Sequence, residues 1–376
     1  MRIFLVIVFI YSLINSCSSI QVEHQSFEEK IKGMNYTGPG RGPFGEEPFT
    51  SMTAIGSNFV ALIPEATLYQ NTLGIRHTYW GDSTWYGEST EAVLEGITQA
   101  KKAGLKIMLK PHLEPGLNVS NWNRPELDRA DSTSRANYIQ SWREFTSTVE
   151  FNVRKRTDWR GDLMSKDEEG WKKIADGYKA YILSYAVLAD SMNVDLFCVG
   201  TELKAMALEK PDYWRELIKE VREFYDGPIT YAANWDSYDE ISFWDQLDYV
   251  GIDAYFPLGD YKIPSVGGAI ADWASYKSEI QSFHSKTGKN IIFTEWGYES
   301  EEFAGKTPWG SEGAFNEEVQ RNLYEATFQS FWEEPWFQGV FIWRWSPKNE
   351  FGRGTYNFSP KGRQAEKVLE KWFDTN

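Results

Sequence analysis

Short apolar runs, each followed by a longer amphipathic stretch, recur along the 376-residue chain, and this alternation limits the fold more than any other feature. An apolar run buried on both faces is a strand of a parallel sheet, and the amphipathic stretch after it is the helix that returns the chain across that sheet. The pattern predicts strands near 31–36, 58–63, 106–110, 195–200, 229–233, 249–253, 291–294 and 339–343. Helices are expected over 90–103, 171–192, 211–225, 271–287, 316–332 and 362–372, with Ser89 before Glu91 and Pro211 before Asp212 as start signals. Eight alternating units without an intervening linker point to one α/β domain, a single (β/α)8 barrel, with a doubly wound open sheet as the other arrangement. The open sheet would carry a glycine-rich phosphate loop after its first strand. Gly38, Gly40, Gly42 and Gly45 follow that strand, but Pro39, Pro43 and Pro48 interrupt them and remove backbone donors. Dinucleotide and P-loop fingerprints are both missing from the sequence.

Charge narrows the partners. With 39 Lys and Arg against 54 Asp and Glu, the net charge of −15 repels a phosphate backbone, which disfavours nucleic acid. The opening residues read as an export signal: Met1 and Arg2, an apolar run over 3–14, then Asn15, Ser16 and Cys17. The run is too short to span a bilayer, and its end resembles the lipobox of bacterial lipoproteins. The expected organisation is a signal over 1–16, a short tether over 17–28 and the catalytic barrel over 29–376. On this reading the membrane is met only through a lipid anchor on Cys17, and the protein works at the bacterial cell envelope, in the periplasm or outside the cell. Cys198, in an apolar run, is expected as a buried thiol. His24, His77, His112 and His284 are scattered, without the spacing of a metal site, so no metal is expected.

In a barrel the chemistry gathers where strands end. The fourth predicted strand ends Val199-Gly200-Thr201-Glu202 and the seventh ends Phe293-Thr294-Glu295-Trp296. Simple alternation would put Leu196, Cys198, Gly200 and Glu202 on one face and Ile291, Phe293 and Glu295 on one face, aiming both carboxylates into the barrel mouth. Two carboxylates facing one another across a pocket are what glycoside hydrolysis requires. The third strand ends Leu109-Lys110-Pro111-His112. Lys110 there would bind sugar hydroxyls or hold a carboxylate ionised, and His112 would hydrogen-bond a sugar. Asn234, after strand five, is a further polar candidate.

The segments LKIMLKPHL, FCVGTELKAM and NIIFTEWGY resemble glycoside hydrolase family 113, and the likeness runs from about Gly33 to the final helix. That family is known for β-1,4-mannanase activity. The resemblance therefore implies a cofactor-free retaining endo-β-1,4-mannanase acting on a β-linked polysaccharide or oligosaccharide. It also implies that Glu202 is the acid/base, Glu295 the nucleophile and Tyr255 a hydrogen-bond donor to the nucleophile. Thr201 stands where many enzymes of the wider clan carry Asn, which leaves the group that holds the sugar's 2-hydroxyl open. A β-glucan or glucomannan hydrolase of the same clan, and a non-catalytic glycan-binding surface protein on a degenerate barrel, are the other readings.

Aromatic residues make up 16% of the chain, with 17 Trp. Pyranose C–H faces pack on indole, so tryptophans at strand ends suit a polysaccharide cleft. Trp80, Trp85, Trp122, Trp235, Trp296, Trp309 and Trp345 fall at or beyond such ends, with Trp296 and Trp345 the expected substrate contacts by strand position. Trp142, Trp171, Trp214, Trp244, Trp273, Trp332 and Trp372 are expected in the core.

Overall fold

The computed structural model describes residues 27–38, 43–77, 89–128, 131–310, 313–346 and 358–374. The proposed signal, the Cys17 anchor, most of the tether, Trp80 and Trp85 lie outside the described residues. The strands are β1 (Ile31–Tyr36), β2 (Phe59–Leu62), β3 (Glu65–Tyr69), β4 (Ile75–His77), β5 (Lys106–Leu109), β6 (His112–Gly116), β7 (Leu196–Thr201), β8 (Ile229–Asn234), β9 (Val250–Asp253), β10 (Ile291–Trp296) and β11 (Phe337–Ile342). Eight of them close a barrel in the order β1-β2-β5-β7-β8-β9-β10-β11, with β11 returning to β1. Every pairing in the barrel is parallel. These are the eight strands expected from the apolar runs, and the fold is the (β/α)8 barrel.

The helices are α1 (Glu47–Ala54), α2 (Thr90–Lys102), α3 (Ser132–Thr148), α4 (Glu168–Ser191), α5 (Lys204–Glu209), α6 (Pro211–Arg222), α7 (Val266–Thr287), α8 (Glu317–Phe331) and α9 (Gln364–Phe373). Ser89 caps α2 by accepting a hydrogen bond from the Ala92 N–H at 3.1 Å, and Pro211 opens α6, as expected from their positions. Helices α1, α3 and α5 escape the sequence pattern. The first and last of these are short, and α3 has no buried residue, so it carries no apolar stripe to detect. Trp142, on α3, is accordingly half-buried rather than in the core. A second sheet, β4-β3-β6, also went unpredicted. Its edge strand β6 contains Pro115 and Gly116, residues that argue against a strand.

Alternation holds through most of the barrel wall. Phe59, Ala61, Met108, Leu196, Cys198 and Ile292 fill the interior, while Val60, Leu62, Phe197, Val199, Ile291 and Phe293 pack outward under the helices. Cys198 is buried, as expected. The period breaks at the two strand ends that matter most. Gly200 faces the helices, since a Cβ there would meet the Trp214 ring at 2.7 Å and the Tyr231 ring at 2.9 Å. Register shifts between Cys198 and Thr201, and between Phe293 and Glu295, mark β-bulges. Simple alternation is therefore corrected: Phe293 and Gly200 point away from the mouth, and it is the bulges that return Thr294 with Glu295, and Thr201, to the interior.

The seam between β1 and β11 constrains one backbone position. Gly339 has φ +135°, and a Cβ on it would lie 2.1 Å from the Ile31 carbonyl oxygen. No L side chain fits that conformation or that space. Gly339→Ala should lower stability by roughly 2 to 4 kcal/mol, read as a reduced urea midpoint at unchanged m; an unchanged midpoint would mean that the seam accepts a side chain.

Candidate active site

The strand ends bring a cation, three carboxylates, an imidazole and a phenol to the C-terminal mouth of the barrel. Lys110 follows β5 and is fully buried. Its Nζ lies 2.5 Å from Glu295 Oε1 and 3.4 Å from Asp253 Oδ1. Thr294 donates from Oγ1 to the same Asp253 oxygen at 2.8 Å, and Tyr255 donates from its hydroxyl to Glu295 Oε2 at 2.9 Å. Both oxygens of Glu295 are thus engaged, one by an ammonium and one by a phenol. His112, at the start of β6, is buried with Nε2 at 3.5 Å from Glu295 Oε1, and its ring lies nearly parallel to that of Trp343.

Above this floor opens a cavity of about 570 Å³. Glu202 and Glu295 both line it, with Asn234, Asp236 and Tyr255 as polar neighbours and Trp159, Trp235, Trp309, Trp343 and Phe358 as aromatic walls. Glu202 follows β7 in the left-handed backbone region, with φ +51°, and its N–H donates to the Ala232 carbonyl at 2.8 Å. Trp235 and Trp309 stack in parallel at 6.2 Å, leaving Trp309 largely exposed.

Of the residues singled out in the sequence, Glu202, Glu295, Asn234 and Tyr255 meet around this cavity, and Lys110 and His112 lie under it. Two are corrected. Trp296 is fully buried on the outer face of β10, 4.6 Å from the ring of Tyr324 on α8, because the bulge that turns Glu295 inward leaves the next residue facing the helices. Trp345 is also buried; its indole N–H donates to Ser51 Oγ of α1, and Lys361 lies over its ring. The aromatic that reaches the cavity from the end of β11 is Trp343, two residues earlier. Trp122 packs on Trp142 and donates to Ser141, away from the cavity lining. Sequence reasoning also passed over Asp253, whose charge inside an apolar strand was a legible signal. It passed over Trp159 and Arg160 too, which sit in a polar stretch without one.

The surroundings separate the charges. Burial pushes the pKa of Glu202 up to about 7, opposed by Arg160 and reinforced by the charge of Glu295. Burial pulls Lys110 down, but Asp253 and Glu295 overcome it and leave the ammonium above its ordinary value. One cation faces two carboxylates, and Asp253 is held well above its usual range by burial and by Glu295. Burial, Arg160 and Lys110 hold His112 well below the normal imidazole value, so it is neutral. Glu65, His112 and Glu114 bring donor atoms within 4.8 Å of one another, yet Arg160 already engages Glu114 as an ion pair, so this cluster is a charge network rather than a vacant cation cage.

The sequence profile of glycoside hydrolase family 113 matches residues 152–356. Among solved structures, a family 113 β-1,4-mannanase superposes with a TM-score of 0.69 at 24% identity, over 93% of this chain and 100% of that one. The β-mannanase of Alicyclobacillus acidocaldarius, solved with ManMIm, gives the same score and identity over 92% and 97%. A β-glucuronidase of Ruminococcus gnavus shares the barrel more distantly, with a TM-score of 0.53 at 12% identity over 93% of this chain and 50% of that one. No curated protein sequence matches the chain.

The raised value of Glu202 carries a consequence for stability. Between about pH 4.5 and 7 the folded protein binds this proton more tightly than the unfolded chain, so stability falls as pH rises through that window. Glu202→Gln removes the charge that burial opposes. Its melting temperature should exceed that of the wild type at pH 8 and converge on it near pH 4; an equal gap at both values would mean that the carboxylate is not held in unfavourable surroundings.

Proposed function

The chain belongs to glycoside hydrolase family 113, and on that premise we propose that it is a retaining endo-β-1,4-mannanase working through a covalent glycosyl-enzyme. The observation that carries this reading is the contrast between two carboxyls on one cavity. Glu295 is bonded by Lys110 and Tyr255, whereas Glu202 is pushed up to about 7 and keeps its proton near neutrality. An ionised nucleophile and a protonated donor are the two states that the first step of retaining hydrolysis needs.

In this mechanism a Glu295 oxygen attacks the anomeric carbon as Glu202 protonates the departing glycosidic oxygen. The C–O bond to the leaving sugar breaks and an ester to Glu295 forms. Glu202, now ionised, takes a proton from water, and the hydroxide displaces Glu295 with net retention. Trp343 would pack on the reacting ring, and the exposed Trp309 face, backed by Trp235, would carry a further sugar of a polymer. Action on mannan is supported by family membership and by the β-mannanases that share the fold. The reading extends to export and a lipid anchor at Cys17, supported by the apolar run before it.

Purified protein assayed on mannan, glucomannan, cellulose and xylan should release reducing sugar foremost from mannan, with the β-anomer appearing first by NMR. The value of kcat/KM should fall above about pH 7 as Glu202 loses its proton. Glu295→Ala should be inactive on every substrate. Glu202→Ala should retain activity on an aryl mannoside with a good leaving group and gain turnover with azide, with retained configuration. Release foremost from cellulose makes the chain a β-glucanase, and binding without turnover makes it a lectin-like barrel; either outcome overturns the proposal.

The two tryptophans after β11 should behave oppositely. Trp343→Ala should lower kcat about 10- to 100-fold with little change in melting temperature. Trp345→Ala should instead cost roughly 3 to 5 kcal/mol of stability and leave kcat of the folded fraction near normal. Reversal of the two phenotypes would return Trp345 to the site.

A further inference from the structure

The loop over residues 153–165 supplies two side chains to the cavity region that no strand end accounts for. An antiparallel bridge between Val153 and Ser165 closes it. From the end of β3, the buried Gln70 clips it in place: its amide donates to the Thr157 carbonyl and its oxygen accepts from the Thr157 N–H, both at 2.9 Å. At the tip the Trp159 indole lies over Gly161, where a Cβ would come within 2.4 Å of the ring, so the indole can fold back only on a glycine. Trp159 then lines the same cavity as Glu202 and favours the charged form of its carboxyl. The next residue, Arg160, is largely buried and locked on Glu114, which in turn lies 3.8 Å from His112 Nδ1. Arg154, at the base of the loop, forms two 2.6 Å hydrogen bonds to Glu209 at the end of α5, the helix that follows Glu202.

We propose that this loop is a positioning element for Glu202, in which Trp159 fixes the carboxyl against the cavity wall and Arg160, anchored on Glu114, supplies the positive charge that Glu202 faces. The inference rests on the acid/base reading of Glu202 for its kinetic consequences, while its electrostatic one stands without that reading, on the placement of the loop beside the cavity and the charge of Arg160. Several groups act on Glu202 or are acted on by it. They are Arg160 and Trp159 from the loop, Lys110 after β5, Tyr231 on β8, Asp253 at the end of β9, Tyr255 just after it, and Glu295 on β10. Arg160 is the foremost of these in favouring the charged form, against burial and Glu295. Without it, the proton on Glu202 would be held so tightly that Glu202 would return poorly to the base form needed for the second step. The loop therefore moderates the acid that burial creates.

The test pairs a direct titration with kinetics. Protein labelled with 13C at the glutamate carboxyls, with Glu202→Gln to assign the signal, reports the Glu202 midpoint without any substrate. Arg160→Gln should move that midpoint upward by more than about half a unit, Arg160→Lys should stay near the wild type, and Trp159→Phe should shift it upward less. Trp159 is exposed enough for this replacement to fold normally. On mannotetraose, whose leaving group needs protonation, Trp159→Phe should lower kcat/KM at least ~10-fold, while an activated aryl mannoside should lose less than ~3-fold. An unmoved Glu202 midpoint in both Arg160→Gln and Trp159→Phe, or equal shifts in the glutamine and lysine variants, overturns the inference. A wild type inactive on all β-glycans defeats the proposed function instead, and the titration still judges the loop.

Discussion

The buried ammonium of Lys110 is the contact around which the mouth of the barrel is arranged. It joins the ends of three strands, its own β5 with Glu295 of β10 and Asp253 of β9, in a place without solvent to screen it. Removing one partner of such a buried group typically costs roughly 3 to 5 kcal/mol, because the remaining charge is left uncompensated. The bulge in β10 suits it. A strand of strict period would leave either Thr294 or Glu295 facing the helices, and the ammonium, with the hydroxyl that steadies Asp253, needs both inside. The same cation helps to keep His112 neutral and pulls against the burial and the Glu295 charge that hold Asp253 above its usual range, so the charge states of the mouth are tied to it.

Glu202 stands in contrast. It is reached by a left-handed residue rather than by a continued strand, and none of the described residues bonds an ammonium to it. What separates the two carboxyls is therefore backbone geometry before it is chemistry. One sits in the layer of the barrel wall, and the other just beyond it, where burial works against its charge.

The barrel was legible because most of its strand residues are buried on both faces and the runs are largely apolar, β7 and β10 above all. The carboxylates were legible because a charge closing such a run has few structural reasons to be there. Strict alternation nevertheless misplaces the neighbours of Glu295: Phe293 faces outward, and the bulge that brings Glu295 inward cannot be seen in a one-letter string. The same blindness displaced the aromatic contact from Trp343 to Trp345. The β4-β3-β6 sheet and α3 lay hidden because one contains Pro115 and Gly116 and the other is polar on every side. Trp159 and Arg160 belong to a loop whose position is set by Gln70, some ninety residues earlier in the sequence, and local pattern cannot carry that relation.

The seam at Gly339 joins the first strand of the barrel to the last. During synthesis, β1 must wait for nearly the whole chain before its partner emerges, and until then the growing sheet has two unpaired edges. The cavity and the charge cluster beneath it draw on β5, β7, β9 and β10, and the wall that encloses them is complete only when the ring closes. A nascent chain of this kind is thus catalytically silent by topology and open to edge-to-edge association for most of its elongation, a hazard that ends in a single event when β11 docks on β1.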